Sequence, residues 1–317
     1  MTTTAAEAAG SGVPGTSQAL ADRVAGALRD EMDPAGRAGE TIPAPIPDYE
    51  VVRRIGQGAY GDVWLARNIL GTYQAIKVVH RRRFRDSAPF ERELSGLKQY
   101  VSISRAHPNL VQILHVGQAA DREWIYYVME ASDDESGGGT IDPRTYSPKT
   151  LASILKQRRQ LPLAECLDLG VDIAAAVDFL HQHRLVHRDI KPSNIIFVNS
   201  VPKLADIGLV AAAEASVDSA SVGTPGYFPP EGPGTAAADT YSLGKALYEA
   251  AFGFDCTRFP DLPRNVVEQP DHEGLFDLNR VLLKACENDP ARRYSSASEL
   301  RADLVELRDG LVIAQPH

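Results

Sequence analysis

The sequence predicts an α+β protein of two lobes, a small antiparallel β-rich lobe with one helix and a larger, mainly helical lobe. Short apolar segments alternate with polar residues between Tyr49 and Val79. The connections between them are short and polar or contain glycine, which is typical of an antiparallel meander. Beyond Ser132 apolar residues recur at spacings of three and four, which indicates helices. A length of 317 residues is enough for such a two-lobed unit.

Composition excludes several classes of protein. Hydrophobic residues make up 44% and charged residues 24%, which is ordinary for a folded protein and excludes a mainly disordered or collagen-like chain. The net charge of −9 argues against neutralising nucleic-acid phosphates as the main task, so no nucleic-acid partner is predicted. Cys166, Cys256 and Cys286 have no paired spacing, which favours a reducing compartment over a disulfide framework or a zinc site.

No targeting or membrane-spanning segment is predicted. The N-terminus lacks a basic region followed by an apolar run, and nowhere do 18 uninterrupted apolar residues occur. We therefore expect a cytoplasmic location with no membrane segment in this chain. A longer, membrane-anchored protein that continues beyond His317 stays an open alternative.

The chain is predicted to contain one folded region between two tails. The first residues are rich in Ala, Gly, Thr and Pro, a composition that buries too little apolar surface to offset the entropy of ordering. The predicted boundaries are 1–46 for a disordered tail, 49–308 for the folded region, about 49–130 and about 131–308 for its two lobes, and 309–317 for a short C-terminal tail.

The elements of the small lobe follow from its apolar alternation. One segment, APFERELSGLKQY, has a helical pattern and interrupts the strands. Strands are predicted over residues 49–56, 62–68, 73–79, 107–118 and 122–130, and the helix over 88–100.

The larger lobe opens with a predicted loop and continues as helices. Residues 132–148 combine acidic residues, three consecutive glycines and two prolines, which predicts a solvated loop. Ser296 and Glu299 form a predicted capping box at the start of the last helix, and Gly310 is its predicted stop. Four apolar residues share one face of a central helix: Leu169, Ile173, Val177 and Leu180.

A glycine-rich turn between two strands is the first candidate for nucleotide binding. Glycines let backbone N–H groups approach phosphate oxygens without obstruction by Cβ. A dinucleotide-binding fold would place a helix directly after the glycines, whereas DVWLA predicts a strand, so the turn is interpreted as a flap over phosphates. The candidate residues are Ile55, Gly56, Gln57, Gly58, Ala59, Tyr60, Gly61 and Val63.

A lysine in an apolar strand is the second candidate. An isolated Lys77 would be expected to face solvent, but an opposing carboxylate could hold it inward. Glu93 is the predicted partner because it lies on the side of Leu94 and Leu97, and Glu91 is the alternative. The pair would direct an ammonium at the α- and β-phosphates of ATP.

The most specific signal is the segment VHRDIKPSNI at 186–195, followed by an apolar run and by KLADIG at 203–208. These residues resemble the catalytic loop and metal-binding turn of the eukaryotic-like serine/threonine protein kinases. The resemblance covers about Tyr49 to Arg308 and implies a two-lobed protein-kinase-like fold. It further implies transfer of the γ-phosphoryl group of ATP to serine or threonine hydroxyls of protein substrates, with the chain itself as a candidate substrate.

The resemblance assigns roles to four residues of these motifs. Asp189 would take the proton of the acceptor hydroxyl, and Lys191 would reach the γ-phosphate and favour serine/threonine over tyrosine specificity. Asn194 and Asp206 would hold Mg²⁺.

The resemblance also implies an adenine pocket. Met129 would be the gatekeeper, while Glu130 and Ala131 would begin a hinge that continues to Ser132. Ala75, two residues before Lys77, belongs to the nucleotide-binding set. Two further residues, Asp133 and Asp134, are predicted either to reach the ribose or to be solvated loop residues.

An activation segment is implied between Asp206 and Glu231. Glu231 would pair with Arg293, and Asp239 would cap the catalytic loop. Arg188 could pair with a phosphorylated residue of the segment, although its serines fit ordinary loop composition equally well. The candidate phosphosites are Ser216, Ser219, Ser221 and Thr224.

Three departures from the family pattern put substrate specificity in doubt. Ile207 replaces the usual phenylalanine of the metal-binding turn. Pro229 replaces an alanine near Glu231, and the stretch from Glu231 to Asp239 is short and rich in Gly and Ala. Residues 254–265 lack a clear helix where substrate-docking elements often lie. Two rival functions fit the same fold, that of a pseudokinase acting as a nucleotide-binding scaffold and that of a small-molecule phosphotransferase. A pseudokinase usually loses a catalytic group that is intact here, and a small-molecule enzyme would lack the activation segment.

Overall fold

The computed structural model describes residues 45–58, 61–84, 87–119, 122–206, 211–212 and 223–314. For 87–89, 92–93, 211–212 and 312–314 the description covers the backbone alone. Contacts divide the chain into two units, Met1–Pro43 and Ala44–His317, and all described residues belong to the second unit. The predicted disordered tail therefore lies almost wholly outside the described residues.

The small lobe is a five-stranded antiparallel sheet, as the sequence predicts. The strand order is β1-β2-β3-β5-β4, and helix α1 packs against one face of the sheet. The elements are β1 (Tyr49–Gln57), β2 (Gly61–Asn68), β3 (Tyr73–His80), α1 (Ser87–Ile103), β4 (Ile113–Gln118) and β5 (Trp124–Glu130).

The central strand β3 is apolar on both faces because both faces are covered. Ala75 and Val79 belong to the main core, whereas Ile76 and Val78 pack into a second cluster on the opposite face. This burial on two sides explains why the strand is mostly apolar. Because side chains alternate between the two faces of a strand, Lys77 lies on the face of the main core.

The larger lobe is mainly helical, which confirms the predicted fold class. Two short strand pairs, β6 with β9 and β7 with β8, lie where it meets the small lobe. Its elements are α2 (Leu151–Arg158), α3 (Leu163–Gln182), β6 (Leu185–Val186), β7 (Ile195–Val198), β8 (Val201–Leu204), β9 (Ala211–Ala212), α4 (Ala236–Phe252), α5 (His272–Ala285) and α6 (Ala297–Ala314).

Helices α3 and α4 form the centre of this lobe. The four residues predicted to share a face of α3 are all buried. A Cβ at Gly244 of α4 would lie 2.7 Å from the Cys286 sulfur and 3.0 Å from the Ala285 Cβ. The glycine therefore allows α4 and α5 to approach closely. The three cysteines are buried and free.

The last helix differs from the prediction at both ends. The Ser296 hydroxyl accepts from the Glu299 N–H at 3.2 Å, but the Glu299 carboxylate accepts from the Ser295 N–H rather than from Ser296. The predicted stop at Gly310 is wrong, because α6 continues to Ala314. Gly310 keeps a negative φ, and a glycine within a helix costs only about 1 kcal/mol.

The predicted solvated loop after Ser132 is largely buried where it leaves and rejoins the core. Asp133 and Asp134 are only 6% and 2% exposed, and Tyr146 is 1% exposed. Its acidic and glycine-rich tip fits the prediction better, since Gly138 and Gly139 are exposed. Among the described helices, none has the length and apolar character needed to cross a bilayer.

Candidate active site

A cavity of about 360 Å³ lies between the two lobes. Predicted nucleotide-binding residues that line it are Ile55, Gly56, Gln57, Gly58, Gly61, Val63, Ala75, Lys77, Met129 and Glu130. Ala131 is not among the lining residues, and Ala59 and Tyr60 lie outside the described residues. Ser132, the last residue of the predicted hinge, also lines it. Residues that the sequence did not indicate line it too: Tyr146, Pro148, Thr150, Ser193, Ile196 and Ala205.

The glycine-rich turn is tight because β3 runs directly behind it. The Gly58 N–H donates to the Gly61 carbonyl at 2.8 Å. A Cβ at Gly61 would lie 2.3 Å from the Val78 carbonyl oxygen, so no other residue fits there without moving a strand.

A basic residue after β3 holds this turn from outside. Arg83 donates to the Gly58 carbonyl at 3.1 Å and forms an ion pair with Asp62, so it contacts both ends of the turn. The sequence does not indicate that Arg83 contacts the glycine-rich turn, because Arg83 is one member of a run of arginines.

Lys77 and Asp206 meet at the inner end of the cavity. The Lys77 ammonium is 2.5 Å from Oδ1 of Asp206, and Lys77 is 6% exposed. Burial alone would favour the neutral acid, but the Lys77 ammonium outweighs it and lowers the pKa of Asp206 below its usual value. The predicted partner of Lys77, Glu93, has its side chain outside the described residues.

Asp189 contacts two residues that line the cavity, Lys191 and Asn194. One carboxylate oxygen of Asp189 accepts from the Lys191 ammonium at 2.7 Å and from Nδ2 of Asn194 at 3.0 Å. The other oxygen accepts from the Thr224 hydroxyl at 2.7 Å, and this hydroxyl also accepts from Lys191 at 2.7 Å. The four polar groups are thus held in one connected network.

A buried carboxylate from α4 supports the backbone next to this network. Asp239 is fully buried and accepts from the backbone N–H groups of His187 and Arg188 at 2.7 and 2.8 Å. It thereby caps the catalytic loop, as the resemblance implied. Arg188 has φ of 72°, a conformation that needs such support in a residue other than glycine. The His187 ring then bonds to the Ala205 carbonyl at 2.9 Å, one residue before Asp206.

The carboxylate of Glu130 accepts two hydrogen bonds beside the hinge. It accepts from the Lys203 ammonium at 2.6 Å and from the Gln112 N–H at 2.9 Å. Lys203 is 7% exposed, so the pair is largely desolvated. Strand β8, which carries Lys203, leads directly to Asp206, and the pair therefore connects the hinge to the inner end of the cavity.

Neither expectation for the two aspartates after the hinge is correct. The Asp133 carboxylate accepts from the N–H groups of Asn199 and Ser200, each at 2.8 Å. Asp134 accepts from the N–H and hydroxyl of Ser136, each at 3.1 Å. Both residues are buried; Asp133 is bonded by the β7–β8 turn and Asp134 by its own loop, and neither residue lines the cavity.

Glu231 and Arg293, predicted as an ion pair, form a two-pronged contact. Both terminal nitrogens of Arg293 donate to the two oxygens of Glu231, one of them at 3.0 Å. The Arg293 side chain is fully buried and also donates to the Glu287 and Asn288 carbonyls. Other predicted positions in the activation segment, Ser216, Ser219, Ser221 and Ile207, lie outside the described residues.

The side-chain oxygens that line the cavity fit a hard cation. Mg²⁺ prefers oxygen ligands, and both Asn194 and Asp206 line the cavity. Both side-chain hydrogen bonds of Asn194 use Nδ2, so its oxygen is the atom left for a cation.

Comparison with known proteins agrees with this geometry. A family model described as "Protein kinase domain" matches residues 49–306. Serine/threonine-protein kinase PknB is 31% identical over 294 residues in Mycobacterium leprae and 32% identical over 295 residues in Mycobacterium tuberculosis. Each alignment covers 85% of this chain and 44% of the relative, so the chain spans less than half the length of these relatives.

Solved structures show the same fold. The kinase domain of Mycobacterium tuberculosis PknI has a TM-score of 0.60 at 23% identity, covering 83% of this chain and 96% of that domain. A mutant of that domain gives a TM-score of 0.58 at 22% identity.

Proposed function

The chain belongs to the protein kinase domain family, and from this premise we propose that it is an ATP-dependent serine/threonine protein kinase. One observation carries the proposal. A single cavity is lined by the glycine-rich turn, Lys77, Lys191, Asn194 and Asp206. Residues that suit a nucleoside triphosphate therefore surround one space, and Asp189 contacts two of them, Lys191 and Asn194.

The proposed nucleotide position follows from charge and shape. The glycine-rich turn would cover the phosphates with backbone N–H groups, and Lys77 would bind their oxygens. The adenine would lie between the apolar side chains of Ile55, Val63 and Ile196, with its edge toward the hinge. Mg²⁺, held by Asn194 and Asp206, would supply neutralisation of phosphate charge.

Asp189 is the proposed base. A substrate hydroxyl would donate a hydrogen bond to its carboxylate, and its oxygen would attack the γ-phosphorus while the bond to the β-phosphate oxygen breaks. The proton passes to Asp189, and ADP leaves. Support comes from the Thr224 hydroxyl, which makes the same contact with Asp189 at 2.7 Å that an acceptor alcohol would make. Lys191, 2.7 Å from Asp189, would neutralise charge on the transferred group.

Regulation by phosphorylation of the activation segment is part of the proposal. A phosphoryl group on Thr224 would add negative charge beside the Asp189 carboxylate, which argues against this residue as the activating site. We therefore favour the serines before it, Ser216, Ser219 and Ser221, with Arg188 as the proposed cation that pairs with the phosphate.

Protein substrates, including other copies of this chain, are the proposed partners. The names of the relatives support this class, since they are described as serine/threonine-protein kinases. The cytoplasm is the proposed location, because ATP is available there and the three cysteines are free thiols.

The test is phosphate incorporation by the purified chain with ATP and Mg²⁺, followed by intact-mass spectrometry. We expect added mass in the wild type and none in Asp189→Asn, which keeps the shape of the side chain but removes the base. Peptide mapping would then locate the phosphate. Nucleotide binding without transfer to the chain or to a generic basic protein would contradict the proposal and favour a nucleotide-binding scaffold.

A further inference from the structure

The segment after the hinge leaves the cavity and returns to it. Its two ends pair with each other, because the Lys149 N–H donates to the Asp133 carbonyl and the Glu135 N–H donates to the Ser147 carbonyl, each at 2.9 Å. We call residues 133–149 the return loop. Because the two ends of the loop are hydrogen-bonded to each other, the position of one end fixes the position of the other.

The return loop is fastened to the β7–β8 hairpin. Phe197 of β7 accepts from the Asp133 N–H at 2.7 Å and donates to the Lys149 carbonyl at 3.0 Å. The Asp133 carboxylate caps the turn at Asn199 and Ser200, whose φ angles of 51° and 64° are left-handed. Because β7 follows Asn194 directly, the loop is anchored to the strand that begins at the catalytic loop.

A turn within the loop directs one tyrosine inward. The Asp142 carbonyl accepts from the Tyr146 N–H at 2.8 Å, and its carboxylate accepts from the Arg144 N–H at 3.0 Å. Tyr146 is 1% exposed and lines the cavity. Its hydroxyl donates to the Ser132 carbonyl at 3.1 Å and lies 3.0 Å from the Ser132 hydroxyl.

The hydroxyl of Tyr146 stays protonated and can therefore donate a hydrogen bond. Burial raises the pKa of Tyr146 to about 12, so its hydroxyl keeps its proton at neutral pH. The peptide between Ser132 and Asp133 is then held at both polar atoms, its carbonyl by Tyr146 and its N–H by Phe197. A planar peptide with both atoms bonded has little freedom to rotate.

We propose that Tyr146 is a positioning residue for the nucleotide, acting through Ser132, which is the last hinge residue before the loop and itself lines the cavity. This inference rests on the proposed function, because the nucleotide site is the one described above. The ring of Tyr146 closes the cavity wall beside Ser132, and its hydroxyl fixes the hinge backbone before the nucleotide arrives. Such preorganisation improves binding by reducing the ordering that binding requires.

The loop also contacts the strand above the cavity. Arg53 of β1 donates to the Arg144 carbonyl at 2.9 Å, and β1 carries Ile55, which lines the opposite side of the cavity. The return loop therefore touches both sides of the nucleotide site, which is the arrangement expected if it limits how far they separate.

Tyr146→Phe is the decisive variant because it removes one hydroxyl and keeps the ring. We expect the Kd for a fluorescent ADP analogue and the KM for ATP to rise about five-fold with kcat unchanged, because nucleotide binding would then have to order the hinge peptide that the hydroxyl holds in the wild type. Tyr248→Phe is the matched control. Tyr248 is equally buried and donates to the Asp261 carbonyl at 2.6 Å, but it does not line the cavity, and nucleotide binding should not change.

The outcomes separate this inference from the proposed function. Unchanged nucleotide affinity in Tyr146→Phe, or an equal loss in both variants, would overturn the role of Tyr146 whether or not the wild type transfers phosphate. Weaker binding in Tyr146→Phe alone would support it even in a chain that transfers none, because the titration needs no chemistry. Should this variant fail to fold, Asp142→Ala loosens the turn and is expected to weaken binding in the same direction.

Discussion

The pair between Glu231 and Arg293 offers a sharp test of buried electrostatics in this protein. Glu231→Ala would leave the guanidinium of Arg293, whose side chain is fully buried, without its anionic partner. Two charge-assisted hydrogen bonds are lost, each contributing about 1.5–3 kcal/mol. Removing one partner of a buried pair costs about 3–5 kcal/mol, but the Glu231 side chain is 31% exposed, so the lower end of this range applies. The Glu287 and Asn288 carbonyls still accept from Arg293, which places the expected loss of unfolding free energy at about 3 kcal/mol.

The chain offers a matched control for this variant. Arg158 also contacts Glu165 through two hydrogen bonds, at 2.8 and 3.0 Å, but these side chains are 45% and 53% exposed. Glu165→Ala should therefore lower the free energy of unfolding by at most about 1 kcal/mol. Urea unfolding followed by circular dichroism measures the free energy of unfolding of both variants, and the slope m is checked for two-state behaviour. Equal losses in the two variants, or less than about 1 kcal/mol for Glu231→Ala, would refute the reasoning from burial.

Three further variants test the site. Asp239→Asn should lower kcat by at least about ten-fold with a smaller change in KM, because a neutral side chain holds the catalytic loop less firmly; steady-state kinetics with unchanged kcat would contradict this. Arg83→Ala should raise the KM for ATP about three- to ten-fold, and an unchanged KM would count against its role at the glycine-rich turn. Asn194→Ala should increase the Mg²⁺ concentration needed for half-maximal transfer, measured by titration against wild type, and an identical titration would remove Asn194 from the proposed metal site.

Local patterns were sufficient to predict the fold. Alternation predicted all five strands of the small lobe, and the spacing of Leu169 and Ile173 predicted the buried face of α3. Lys77 lies in the cavity as expected, since its neighbours in β3 leave it no exposed face. These features depend on residues close together in the chain.

The features that sequence reasoning missed join distant residues. Lys203 and Glu130 are 73 positions apart, and no local pattern indicates that they meet. The polar composition of the return loop predicts a solvated segment, but Asp133, Asp134 and Tyr146 of the loop are buried. Asp133 avoids the cost of burial only because the β7–β8 turn supplies two N–H donors, which composition does not reveal.

The burial of all three cysteines has a practical consequence for labelling. Burial raises the pKa of the Cys166 and Cys286 thiols to about 12 and that of Cys256 to about 11, so few thiolates exist at neutral pH. None of the three lines the nucleotide cavity. The native protein should therefore react slowly with maleimides. A single cysteine introduced at Arg144, whose side chain is 87% exposed, would carry a spectroscopic probe with little background from the natural thiols.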